Sequence, residues 1–386
     1  MNNYSSLIQA THNKENAEGL THNYYNYPAK FSPIFAREVI NYFTSPGDTV
    51  LDPFVGGGTS ILEAMALSRR GIGIDISTLA IFICKVKTNI LNKSDINTIN
   101  NWKNCIYTIK SIKILKGKSV WDNKGYTRNL NAKDTWRIKN YIENLLLETE
   151  YLSNRKVKNF VRCSILKTGQ WALDGKQSVP KLANFRDKLF SNIDEMVNDN
   201  ILLADELYKT TNTPIKPILI NRNAYGMENE KIFSKNQPKL VVMSPPYPGI
   251  HVLYHRWQVK GRKETPAPFW IADQLDGSGE SYYTLGNRIT HHKEKYFIEM
   301  KKIFDSLKKI CSPETKVVQL IAFSNPKIHL QRYLELMMKS GFEEINILDG
   351  GSEERVWRKV PNRKWYAGIN GDNPSSQEVL LVHKAI

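Results

Sequence analysis

KLVVMSPPYPG, residues 239–249, runs from apolar and β-branched side chains straight into Ser244, Pro245, Pro246 and Tyr247. Proline has no backbone donor and a fixed φ, so neither proline continues a central ladder. The pair makes a rigid exit from a strand, with a hydroxyl before it and an aromatic ring after it. Rigidity of that kind serves groups that must be held still for chemistry. A second constellation is LDPFVGGGTS, where Gly56, Gly57 and Gly58 separate a strand-like run from a helix-like one. Glycines there let a ligand approach the backbone and the amides at the helix start. Asp52 closes the first strand, placed for an amino group. Asp75 closes the second, about 20 residues past the glycines, the position from which an acid reaches ribose hydroxyls. Together these residues predict a nucleoside ligand. The spacing leaves a dinucleotide and S-adenosylmethionine equally open.

These groups need elements to carry them. Residues 30–43 hold Ile34, Phe35, Val39, Ile40 and Phe43 at helical spacing, and SPGD (45–48) breaks that helix. TVLDPF reads as a strand, SILEAMALSRR as a helix stopped by Gly71, and IGIDIS (72–77) as a second strand. A strand–glycine turn–helix–strand unit opens a parallel, doubly wound α/β sheet. Five further strand runs, at 215–221, 239–243, 316–323, 342–348 and 378–384, bring the expected sheet to seven strands, with a helix over 296–310. Residues 90–214 are dominated by helical periodicity, as in DTWRIKNYIENLLLETEYL. That stretch carries 21 Lys and Arg against 13 Asp and Glu, half of the chain's net charge. It reads as a helical insertion into a sheet domain built from 1–89 and 215–386.

The composition narrows the function classes. The 386 residues carry a formal charge of +16, with 41% hydrophobic and 10% aromatic residues, a globular chain suited to a polyanionic partner. Cys84, Cys105, Cys163 and Cys311 are scattered without a C-x-x-C pair, so neither zinc nor a disulfide framework is expected and a reducing cytosol fits. No apolar run approaches the ~18 residues of a membrane span, and the polar start MNNYSSLIQATHNKEN is unlike a signal peptide. A cytoplasmic protein without a metal centre is expected.

DPFVGGGT resembles the D-P-F-x-G-x-G-T motif of DNA amino-methyltransferases, and SPPY is similar to their catalytic tetrapeptide in its cytosine-N4 form. NYPAKFSP (26–33) resembles the cofactor motif on the helix before their first strand. The resemblance covers 22–89 and 215–386. It implies a Rossmann-like class I methyltransferase fold, with S-adenosylmethionine as methyl donor and duplex DNA as substrate. By this resemblance the cofactor lies against Tyr27, Lys30 and Phe31, against Asp52, Pro53, Phe54, Gly56, Gly58 and Thr59, and against Asp75 and Ile76. Asn223 stands where many members place an Asp toward the adenine. Cofactor motifs also precede SPPY here, opposite to the permuted order common among SPPY enzymes.

The resemblance implies direct methyl transfer to an exocyclic amine, whose conjugation with its ring makes it a poor nucleophile. Acceptors at Ser244 Oγ and the Pro245 carbonyl would draw its nitrogen toward tetrahedral geometry, and Tyr247 would stack on a base swung out of the duplex. Cytosine-C5 chemistry needs a nucleophilic thiolate, and none of the four cysteines follows a proline as that family's nucleophile does. Two basic–aromatic stretches, 254–270 and 355–368, offer Arg256, Lys260, Arg262, Arg355, Arg363 and Lys364 as phosphate contacts. Trp171, in NFVRCSILKTGQWALDG, is a further DNA-facing candidate within the insertion, the expected target-recognition region. The expected activity is N4-cytosine methylation at a short DNA site, with a restriction endonuclease as a conceivable partner. Its rivals are N6-adenine methylation, RNA guanine-N2 methylation, and a non-catalytic DNA-binding module.

Overall fold

Alternating apolar side chains in short runs such as TVLD and LVVM give each strand two buried faces, as a sheet sandwiched between helices requires. The computed structural model describes residues 4–13, 19–27, 32–107, 119–248, 256–261, 263–277, 285, 290–323, 325–348, 355–359 and 377–386. Its strands are β1 (Thr49–Asp52), β2 (Arg70–Asp75), β3 (Ile218–Asn221), β4 (Leu240–Met243), β5 (Trp257–Val259), β6 (Lys263–Thr265), β7 (Lys316–Ala322), β8 (Phe342–Glu344), β9 (Trp357–Lys359) and β10 (Gln377–Ala385). The main sheet runs β3-β2-β1-β4-β7-β10-β8, with β9 added against β10. β3, β2, β1, β4 and β7 pair in parallel, while β10 is antiparallel to β7, β8 and β9. This is the expected Rossmann-like α/β fold with a mostly parallel central sheet.

Twelve α-helices accompany the strands among the described residues. They are α1 (Ser5–His12), α2 (Pro33–Phe43), α3 (Thr59–Ala66), α4 (Thr78–Thr88), α5 (Lys93–Tyr107), α6 (Val120–Asn123), α7 (Lys133–Thr149), α8 (Arg155–Leu173), α9 (Leu182–Thr210), α10 (Ala267–Ala272), α11 (Thr290–Ile310) and α12 (Pro326–Lys339). One sheet face, with Val50, Leu240 and Val242, packs on Phe35, Val39 and Ile40 of α2 and on Ala64 of α3. The opposite face, with Leu51, Val241 and Met243, packs on α11 and α12. Helices α5 and α7–α9 lie between residues 90 and 214. Their core is continuous with α4, with Tyr24, Tyr25 and Tyr27, and with Trp257, Phe269 and Trp270.

Three expectations are corrected. α3 ends at Ala66, not at Gly71, because the chain reverses at Ser68 (φ 61°) and the buried Arg69 guanidinium binds the Thr44 and Leu67 carbonyls. Arg70 and Gly71 already belong to β2. The main sheet has eight strands where seven were expected, since the three-residue β9 is too short to show a period. The stretch after SPPY, read as a basic–aromatic surface, contains the β5–β6 hairpin and α10, with Trp257 and Phe269 fully buried.

Candidate active site

β1 and β4 are parallel neighbours in the register Val50↔Leu240 and Leu51↔Val241, so Asp52 and Ser244 emerge at the same edge of the sheet. From β1 the order moves outward to β2, and from β4 it moves the other way to β7. Helix α3, after β1, and α11, between β4 and β7, cover opposite faces. The carboxyl ends of these two strands are therefore a topological switch point, the place where open α/β sheets bind ligands. The two motifs, nearly 200 residues apart in the chain, meet there.

Asp52 is buried, accepts a hydrogen bond from Phe54 N at 3.0 Å, and accepts another from the Ser60 hydroxyl. Burial pushes its carboxyl up to about 7, against the lowering effect of the Ser60 and Phe54 bonds. Asp75 accepts from Gly56 N and from Ser77 N, both at 2.8 Å, and so ties the end of β2 to the loop after β1. Desolvation raises it to about 6, with these amides opposing. A cation placed against Asp52 would relieve the cost of its ionised form. Asn221 Nδ2 donates to the Asp75 carbonyl at 2.9 Å and to the Ile76 carbonyl at 3.1 Å, which fixes the turn after β2. Asn223 Oδ1 accepts from Tyr225 N at 3.0 Å in the turn after β3.

The glycine loop is clamped from both sides. A Cβ on Gly57 would lie 2.9 Å from Tyr27 Cβ, and one on Gly58 would lie 2.6 Å from Cys84 Sγ of α4. Gly58 is also left-handed, with φ +78°. Lys87, fully buried on α4, donates to the Gly57 carbonyl at 2.7 Å. Tyr27 is itself held through its neighbour: Gln170 of α8 accepts from Asn26 N at 3.1 Å and donates to the Asn26 carbonyl at 2.9 Å. Thr59 Oγ1, at the start of α3, is buried with no hydrogen-bond partner among the described residues. A glycine cradle, an orphaned hydroxyl, the buried Asp52 and the partly buried Asp75 fit a ligand carrying hydroxyl and amino groups. Pro53 is buried and Phe54 packs at the margin of the same core as Tyr247.

At the end of β4, Ser244 Oγ lies 3.1 Å from Tyr247 Oη, and Tyr247 donates to Glu378 of β10. Glu378 lies within reach because β10 runs antiparallel, which brings its first residues to the carboxyl ends of β4 and β7. Neither Glu378 nor Lys87 was anticipated from the sequence. The available signal was a charged residue beside apolar ones, Glu378 heading EVLLV and Lys87 following Val86 in TLAIFICKVKT, where Lys85 is a second lysine.

The basic candidates divide. Arg256 pairs with Asp276 at 2.8 Å and is nearly buried, Lys260 pairs with Asp134 at 2.6 Å, and Arg355 holds both oxygens of Glu344 at 2.8 Å. Trp171 is partly exposed near the end of α8, whose following Asp174 accepts from Gln258 N of β5 at 3.0 Å. Lys30, Phe31, Arg262, Arg363 and Lys364 lie outside the described residues.

Residues 4–85, from α1 through the glycine loop into α4, match the family model described as DNA methylase, which joins N6 and N4 chemistry in its title. Over those residues the chain is similar to DNA amino-methyltransferases. Type II methyltransferase M.MjaII of Methanocaldococcus jannaschii is 35% identical over 78 residues, 20% of this chain and 14% of that protein. M.MvaI of Kocuria varians is 34% identical over 85 residues, 21% and 19% of the two chains. M.BsoBI of Geobacillus stearothermophilus is 46% identical over 56 residues, 14% and 11%. The matched stretch thus spans less than a fifth of each of these relatives. Among solved structures, an rRNA methyltransferase from Streptomyces viridochromogenes overlays 99% of this chain and 93% of its own, at 9% identity and a TM-score of 0.37. The DNA amino-methyltransferase family implies S-adenosylmethionine as methyl donor, and the cradle around Gly56–Thr59 has the groups to receive it.

Proposed function

We propose that this protein is an S-adenosylmethionine-dependent DNA methyltransferase that modifies the exocyclic N4 amine of cytosine. The observation that carries the reading is the meeting of Asp52 and the glycine loop with Ser244-Pro245-Pro246-Tyr247 at the carboxyl ends of adjacent strands. When bound, S-adenosylmethionine supplies an electrophilic methyl group. Asp52 would hold its amino group, Asp75 its ribose hydroxyls, and the residues around Asn223 would flank its adenine. Ser244 Oγ and the Pro245 carbonyl would accept hydrogen bonds from the two N–H groups of the target amine, loosening the nitrogen lone pair from the ring. Pro245 and Pro246 hold these acceptors rigid, so that little reorganisation is needed during transfer. Tyr247 would stack on the extruded base, which cannot be reached inside the duplex. The helical layer of residues 90–214 and the β5–β6 hairpin would line the approach of DNA, with the insertion choosing the recognition site. A restriction endonuclease would be the natural companion of such an activity.

Adenine N6 is the second reading, because the matched family joins both amines and the same acceptors serve either. The test is transfer of labelled methyl to duplex DNA, hydrolysis and nucleoside separation. Label in N4-methylcytosine is the expected outcome, and label in N6-methyladenine would move the assignment to the second reading. Transfer to RNA alone, or cofactor retention without transfer, would replace it with the RNA-directed or non-catalytic alternatives.

A further inference from the structure

Ser244 and Tyr247 end a chain of polar contacts that continues well behind the site. Tyr247 Oη donates to one oxygen of Glu378. The other oxygen is held by Arg358 of β9 at 2.7 Å, through a guanidinium that also lies 3.5 Å from the Thr11 carbonyl at the end of α1. Glu378 and Arg358 are direct cross-strand partners, and their side chains are only 6% and 7% exposed. A buried ion pair of this kind is costly to desolvate and is weak evidence for stability alone.

The chain has a direction. A carboxylate paired with a guanidinium only accepts, so the single proton of Tyr247 points to Glu378. At the 3.1 Å contact Tyr247 Oη is then the acceptor, and Ser244 gives its own proton to it. Both lone pairs of Ser244 Oγ are thereby left to accept. We propose that Glu378, held by Arg358, is a positioning residue that fixes Tyr247 and Ser244 in the polarity needed to accept a hydrogen bond from the target amine. Tyr247 then has two separate uses, its ring for the base and its hydroxyl for orienting Ser244. The inference rests on the methyltransferase reading above and adds the groups that set the serine's direction.

Tyr247→Phe separates the two uses, since it keeps the ring and leaves the Glu378–Arg358 pair intact. With labelled cofactor and duplex DNA, Tyr247→Phe is expected to lower kcat by about tenfold or more, the scale of one hydrogen bond near a charge. The KM for DNA and the affinity for S-adenosylmethionine should stay near wild type. In a Ser244→Ala background the same change should cost almost nothing further, because no serine remains to be oriented. Glu378→Gln, with folding checked by circular dichroism, should reproduce the kcat loss, again with KM near wild type. Tyr247→Phe at wild-type kcat, or losses from Ser244→Ala and Tyr247→Phe that multiply in full, would overturn the relay while leaving the methyltransferase reading in place. A wild-type protein that transfers no methyl group to DNA would overturn both.

Discussion

At the scale of residues, the buried Asp52 and the partly buried Asp75 make the proposed cofactor side of the site sensitive to pH. The carboxyls of Asp52 and Asp75 are raised to about 7 and about 6, above their values in an unfolded chain. The folded protein therefore binds more protons than the unfolded one in that interval. The stability these groups contribute is full below about pH 4 and is lost as pH rises through about 6 for Asp75 and about 7 for Asp52. Binding of a cationic amine to ionised Asp52 has the opposite dependence. S-adenosylmethionine affinity should rise with pH up to about 7, by at most tenfold per pH unit for one released proton. Calorimetry from pH 5.5 to 8 (roughly the range spanning both acids) measures this, and Asp52→Asn should flatten the profile as well as weaken binding. An unchanged profile in that variant would remove Asp52 from the amine site. On the reacting side, Tyr247→Ala should leave cofactor affinity nearly intact and cut turnover severely, since base–aromatic stacking contributes about 1–3 kcal/mol. Ser244→Ala should lower kcat more than it raises KM, because its hydrogen bond strengthens as the amine pyramidalises. Single-turnover methyl transfer beside cofactor titration checks both variants.

At the scale of elements, the loop from β1 to α3 is squeezed between Tyr27 and α4, and its glycines answer to packing as much as to any ligand. A Cβ on Gly58 would fall 2.6 Å from Cys84 Sγ and 3.1 Å from Cys84 Cβ, at a φ that L side chains rarely adopt. Gly58→Ala should destabilise the fold by about 1–3 kcal/mol through overpacking, before any effect on binding is considered. Urea unfolding would show it as a lower midpoint with an unchanged slope. Pairing Gly58→Ala with Cys84→Ala should recover the part of that loss due to the sulfur, leaving the cost of the left-handed φ and of the close Cβ–Cβ approach at 3.1 Å. The clamp reaches the helical layer through Gln170 and Asn26, so α8 helps to set where Tyr27 meets the glycines.

At the scale of the whole molecule, a net charge of +16 favours a polyanion, but several of its cations are already engaged inside the fold. Arg355 is bound through both Glu344 oxygens, and Arg256 is nearly buried with Asp276. Their neutralisation should lower stability more than it weakens DNA binding. Arg363→Ala with Lys364→Ala should instead weaken binding to all duplexes alike and flatten log K against log salt by about 0.9 for each phosphate that is no longer neutralised. Fluorescence anisotropy across a salt series would read it, and a wild-type slope in the double variant would exclude Arg363 and Lys364 as a phosphate clamp. Substitutions on exposed faces of 90–214 should change which sequences are methylated and leave the slope alone.

The sequence by itself determined the first half of the sheet and both motifs that meet on it. Apolar runs that stop at Asp52, Asp75 and Ser244, with glycines or prolines beside them, mark strand ends through local chemistry alone, and all three appear where those signals put them. The helical character of 90–214 was equally legible from its period. Short-range pattern could not reveal which strand lies beside which. Pairing of β1 with β4, which brings the motifs together, is decided by how the crossovers wind over the sheet. Nor could it reveal that an antiparallel last strand would carry Glu378 to a tyrosine 131 residues earlier, or that the insertion would share its core with α4. Those contacts arise from burial of faces between segments far apart in the chain, and only the folded arrangement specifies them.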